Sequence, residues 1–170
     1  SGMADDDAHW DGWQLIHCDR MAAQDTAAAI MPVMEAAFDP AFGEAWTLSQ
    51  LHSALCMPNC HASLVQDSNG RIAGFTLTRH VLDEQELLLI AVAPWARRRG
   101  IGRLLIETLK DNAPQLGVCT IFLEMRYGNP AELLYRSCGF IEIGRRPKYY
   151  TGKDGQRYDA VTYRVATQNG

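Results

Sequence analysis

One segment constrains this chain more than any other: Ile90-Ala91-Val92-Ala93-Pro94-Trp95-Ala96-Arg97-Arg98-Arg99-Gly100-Ile101-Gly102-Arg103. The apolar run Leu87–Val92 before it suits a strand buried on both faces. Pro94 ends that strand, and an amphipathic stretch reaching Asn112 opens within the glycine-containing loop. Gly100 and Gly102 let the backbone come close to a ligand. Consecutive N–H groups at a helix start form an anion nest, and four arginines surround it. A diphosphate is the natural occupant. The P-loop is excluded, because no Gly-Lys-Ser/Thr follows this strand. The dinucleotide fingerprint is excluded too, since it needs three glycines in the first βαβ unit.

The remaining elements surround that motif. At 170 residues the chain is one domain long, with a core of ordinary size. Trp13–Ile16 alternates like a strand. Asp25–Phe38 reads as a helix capped by Asp25, with Pro32 kinking it or marking a later start. A second helix, capped near Thr47 or Ser49, runs to about Cys56. Ala62–Val65 and Ile72–Leu77 pair through Ser68-Asn69-Gly70. After the helix 100–112 come a strand 118–125, a short helix 130–137 and a closing hairpin of 141–143 with 158–165. The expected fold is α/β: a mixed, mostly antiparallel central sheet flanked by helices on both faces. Residues 1–12 read as a tag remnant and frayed start, 13–166 as the domain, and 167–170 as a tail.

Charge is divided unevenly: residues 1–90 hold 3 basic and 13 acidic side chains, and residues 91–170 hold 13 and 7. A basic C-terminal half on an acidic chain fits a local anion site better than nucleic-acid binding. No apolar run approaches the roughly 20 residues of a membrane span, and no signal peptide is visible. Five scattered cysteines without an export signal read as reduced thiols in a cytoplasmic protein. His52, Cys56, Cys60 and His61 could be drawn as zinc ligands. Pro58 breaks their helical spacing and no C-x-x-C pair is present, so no metal is expected.

Two side chains stand out for acid–base work. Glu124 ends the apolar strand Ile121-Phe122-Leu123, where an inward carboxylate is costly. Tyr135 lies eleven residues later, on the short helix. Either could instead be structural, Glu124 paired with an arginine and Tyr135 packed in the core with a bonded hydroxyl.

Arg97-x-x-Gly100-x-Gly102, behind a strand ending Ile90-Ala91-Val92-x-Pro94, resembles the acyl-CoA motif of the GCN5-related N-acetyltransferases (GNAT). The resemblance implies acetyl-CoA as cofactor. Ile90, Ala91 and Val92 would meet its pantetheine and acetyl groups. Arg97, Arg98, Arg99, Gly100, Ile101, Gly102 and Arg103 would cradle its phosphates. Leu123-Glu124-x-Arg126, Asn129 and Leu134-Tyr135-x-Ser137-x-Gly139-Phe140 are similar to a RimI-type subgroup, which acetylates the N-terminal alanine of a ribosomal protein. That similarity implies Glu124 as base, Tyr135 as acid and Asn129 as a cofactor contact. It implies an acceptor groove lined by Phe42, Trp46, Tyr149 and Tyr150. Here Arg145-Arg146-Pro147-Lys148 is one residue longer before the tyrosine pair than the subgroup's pattern.

Expected partners are therefore a protein N-terminus or a small amine, with neither nucleic acid nor membrane, on a monomer or weak homodimer. The rivals are a small-molecule amine acetyltransferase, which would show a closed pocket, and a non-catalytic acyl-CoA-binding module. Keeping both Glu124 and Tyr135 argues against the module. Cys119 and Cys138 read as packing residues, so direct attack is expected over a ping-pong route.

Overall fold

The computed structural model describes residues 8–10 and 12–167. Its strands are β1 (Ala8–Trp10), β2 (Trp13–His17), β3 (Cys60–Asp67), β4 (Ile72–Val81), β5 (Glu84–Val92), β6 (Thr120–Arg126), β7 (Ile141–Thr151) and β8 (Arg157–Ala166). The helices are α1 (Ala23–Ala37), α2 (Leu48–Leu55), α3 (Ile101–Asn112) and α4 (Glu132–Ser137). The strands form one sheet in the order β1-β2-β3-β4-β5-β6-β8-β7. Every neighbouring pair is antiparallel except β5 with β6, whose parallel pairing follows from the α3 crossover between them.

Adjacent residues on a strand point to opposite faces, and here they enter different cores. Leu64 packs with Ile30 and Met34 of α1 and Leu51 of α2. Its neighbour Val65 packs with Ile101 and Leu105 of α3. Helices thus cover both faces, as the sequence leads one to expect. A third cluster joins β6 and β8 to α4 through Leu123, Val161, Tyr135 and Cys138.

Several boundaries differ from expectation. Ala8–Trp10 is not frayed but pairs with β2; the rest of the expected loose start, residues 1–7 and 11, lies outside the described residues. Thr167 is no tail either: its hydroxyl donates to the Val118 carbonyl and its N–H to that of Cys119. Residues 168–170 lie outside the described residues. Helix α1 starts after Ala22, with Asp25 in its first turn, where its charge complements the helix dipole rather than capping it. It runs through Pro32 without a break. Thr47 caps α2 in a reciprocal capping box with Gln50. Strand β7 continues far beyond Ile143 because it bulges: Arg146 faces Ala160 and Tyr150 faces Tyr158, leaving 147–149 opposite Asp159 alone. Lys148, at φ 53, closes this bulge by donating its N–H to Asp159 Oδ1.

The site is made where pairing stops. β5 and β6 pair only at Glu84–Thr120, Gln85–Ile121 and Glu86–Phe122. Beyond these, the strands part. On its other side β5 carries a bulge at Leu88, since Leu77 faces Leu89 while Thr78 faces Leu87. Bulges of this kind re-aim a strand locally.

Candidate active site

The parting of β5 and β6 opens a cavity of about 960 Å³. One wall is Leu87–Val92 of β5 and the other Leu123–Arg126 of β6. The loop 39–46 between α1 and α2 bounds it on one side; Asn129, Ala131 and Tyr135 bound it on the other. Ile90, Ala91, Val92, Arg97 and Asn129 all line it, as their sequence positions imply.

Arg98–Arg103 do not line this cavity. Their backbone N–H groups have no acceptor among the described residues; Leu104 is the first to find one, the Gly100 carbonyl at 2.9 Å. Arg98 (φ 64) and Gly100 (φ 78) both take the left-handed conformation that curls such a loop into a nest. A Cβ at Gly100 would meet nothing within 4 Å, so glycine is needed there for its φ. Gly102 has another purpose. A Cβ there would stand 2.8 Å from Leu134 Cδ2, so its lack of a side chain lets α3 approach α4. Ile101 is buried in the core and offers only its backbone. Arg103 is tied to Ser137 Oγ at 2.8 Å, and Arg97 donates to the Ala37 carbonyl at 3.3 Å. Arg99 lies 6.0 Å from the Trp13 ring. Asn129 Oδ1 accepts from the Ala131 N–H, fixing the turn into α4.

Glu124 and Tyr135 both line the cavity. Glu124 stands on an inner strand rather than a sheet edge, flanked by β5 and β8. Its Oε2 accepts from Arg146 Nη2 at 2.5 Å, and its Oε1 from the Tyr150 hydroxyl at 3.3 Å. The arginine that pairs with it therefore comes from the β7 bulge. Tyr135 is 6% exposed and packs on Phe140. Among the described residues its hydroxyl has no hydrogen-bond partner. Burial, then the Glu44 charge, raise its pKa, so the phenol stays protonated and able to donate. Burial and Glu124 act likewise on Tyr150.

Arg126, named in the sequence only as part of a motif, and Glu44, not singled out at all, shape the acceptor side. Arg126, 7% exposed, sets its guanidinium 3.6 Å from the Phe42 ring centroid and 5.4 Å from that of Tyr158. Its Nε donates to Glu44 Oε1 at 3.3 Å. Lys153 N–H holds the same loop by donating to the Ala41 carbonyl. Trp46 and Phe42 line the cavity, as does Tyr150, whereas Tyr149 does not. Tyr149 is 52% exposed and lies under the Arg146 guanidinium at 4.3 Å. A charge at the end of an apolar strand could have flagged Arg126. Nothing in the loop sequence flags Glu44.

The cysteine–histidine cluster resolves into separate contacts. His61 pairs with Asp19, and Cys56 lies near His52 beside a cavity of about 220 Å³. Among the described residues no group of three or more such side chains is arranged to hold a metal ion. Among them, too, no helix is long and apolar enough to cross a membrane.

A cleft between splayed parallel strands, an open amide nest at the following helix, and Glu124 and Tyr135 on the walls together make up the site. Residues 30–140 match the Acetyltransferase (GNAT) family, and the chain belongs to it. It is 47% identical over 94 residues to the [ribosomal protein bS18]-alanine N-acetyltransferase of Escherichia coli K12, a match covering 55% of this chain and 63% of that protein. The counterpart from Haemophilus influenzae is 40% identical over 93 residues, covering 55% and 64%. The chain thus spans somewhat under two thirds of the curated relatives it matches. The crystal structure of the E. coli ribosomal-protein-S18-alanine N-acetyltransferase superposes with a TM-score of 0.79 at 32% identity. That alignment covers 93% of this chain and 96% of the other.

Proposed function

We propose that this protein transfers the acetyl group of acetyl-CoA to a primary amine, the N-terminal α-amino group of a protein. The observation that carries the reading is that Glu124 and Tyr135 line one cleft between the parted strands. The open N–H groups of Arg98–Arg103 suit a diphosphate, with Arg97 and Asn129 nearer the cavity. The parted edge of β5 at Ile90, Ala91 and Val92 suits the thioester arm.

Glu124 takes the proton that the amine sheds, directly or through a water. Tyr135 donates to the departing thiolate. An α-amine suits this modest apparatus. Its ordinary pKa of about 7.7–8.0 leaves a useful neutral fraction, where a lysine at about 10.4 leaves little. Phe42, Trp46 and Tyr150 make the acceptor side, and a ribosomal protein's N-terminal alanine is the acceptor that the relatives' names support. Such an acceptor places the reaction in the cytoplasm.

The test is acetyl-CoA turnover against peptides with a free N-terminal alanine, α-blocked lysine peptides and free polyamines. The reading expects kcat/KM for the alanine peptide to exceed the other two by at least tenfold. Equal or greater turnover of polyamines would replace it with the small-molecule reading.

A further inference from the structure

The two carboxylates of the cleft are not equivalent. Glu124 has both oxygens engaged, by Arg146 and Tyr150. Glu44 uses Oε1 for Arg126, and its Oε2 has no partner among the described residues. The Glu44 side chain lines the cavity and is 25% exposed, while the Arg126 side chain beneath it is buried and wedged against Phe42. That support fixes the carboxylate in place rather than leaving it on a mobile loop. Glu44 shares the cavity with Tyr135 and Tyr150.

A primary amine reaches such a site mainly as an ammonium group, with N–H donors and no acceptor. It needs a carboxylate oxygen that is free before it arrives. We propose that Glu44 receives the ammonium group of the acceptor, making it a specificity-determining residue for cationic primary amines. Glu124 then serves proton removal without first having to surrender Arg146. This inference rests on the amine-acetylating reading above and adds to it the residue that selects the acceptor.

Glu44→Gln tests it, because the amide oxygen can still accept from Arg126 while the charge is gone. Wild type and variant, each saturated with CoA, are titrated calorimetrically with an alanine-initiated tetrapeptide, with its des-amino counterpart and with spermidine. The amine-bearing ligands should bind the variant about tenfold or more weakly, the scale of a charge-assisted hydrogen bond. The des-amino peptide and CoA should bind both proteins alike, and Glu44→Asp should recover part of the loss. Equal amine affinity in wild type and Glu44→Gln would overturn the assignment, as would an equal loss for the des-amino peptide. If wild type binds spermidine but not the peptide, and the variant weakens spermidine, the protein-acceptor reading fails while Glu44 keeps its role. If wild type binds no amine, both fall.

Discussion

The Tyr150 hydroxyl donates to Glu124 Oε1 at 3.3 Å, on the opposite side of the carboxylate from Arg146. Both partners come from the β7 bulge, so the extra residue at Pro147-Lys148 helps set where the carboxylate is gripped. A hydrogen bond of this kind contributes roughly 1 kcal/mol of orientation. Tyr150→Phe should therefore lower kcat by about three- to tenfold and leave acetyl-CoA affinity unchanged. Steady-state kinetics would show an undiminished kcat if the ring merely packs.

Replacing Glu124 tests base and acceptor together. With a peptide α-amine, Glu124→Gln should depress the rate most below pH 8. The deficit should shrink toward pH 9, where the amine deprotonates unaided. A lysine acceptor, still charged at pH 9, would keep the deficit across that range.

Tyr135→Phe removes only the hydroxyl. If that group protonates the thiolate, turnover should fall by roughly 10²–10⁴ while acetyl-CoA binding persists. The same substitution has a thermodynamic consequence. Burial raises the Tyr135 pKa in the folded chain, whereas unfolded tyrosine ionises near 10. Above about pH 10 the unfolded state releases a proton that the native state retains, so the stability present below that pH is lost as pH rises. Urea midpoints from pH 9 to 11 should fall steeply in wild type and less steeply in Tyr135→Phe. Parallel slopes would mean the phenol ionises as freely folded as unfolded.

Glycines near the cleft should differ sharply in tolerance. A Cβ at Gly74 would lie 2.9 Å from the Ala91 carbonyl oxygen, a backbone atom, and 3.2 Å from Ile101 Cγ2. Gly102 confronts only the end of the Leu134 side chain, which can rotate away. Gly74→Ala should cost about 1–3 kcal/mol by overpacking and Gly102→Ala less than about 1. Urea denaturation checks the order, and a costlier Gly102→Ala would show that Leu134 cannot turn.

What was legible in the sequence followed local rules. The Leu87–Val92 run, the glycine loop and the amphipathic α3 each carry their own period or breaker, and all three stand where expected. Thr47 with Gln50 also wrote the α2 cap into four residues. Contacts between distant segments were not legible. Arg146 reaches Glu124 from 22 residues away and Glu44 meets Arg126 across 82, and no periodicity encodes either. Gly102 was read by its usual loop role, while its constraint is set by Leu134, a neighbour only in the fold. Pro32 does not end α1, because the packing of Ile30, Val33 and Met34 into the core outweighs one lost helical hydrogen bond.

The short seam between β5 and β6 has a mechanical meaning. With three residue pairs joining them, β1–β5 and β6–β8 are two plates riveted at one end, and the open end carries the chemistry. A thioester arm bound in the gap, as proposed, would offer β5 the hydrogen-bonding partners that β6 withholds there, and so would act as a second rivet. Grip on the ligand and stiffness of the sheet then become one property read by two instruments. Amide exchange along Leu89–Val92 should slow in step with ligand occupancy.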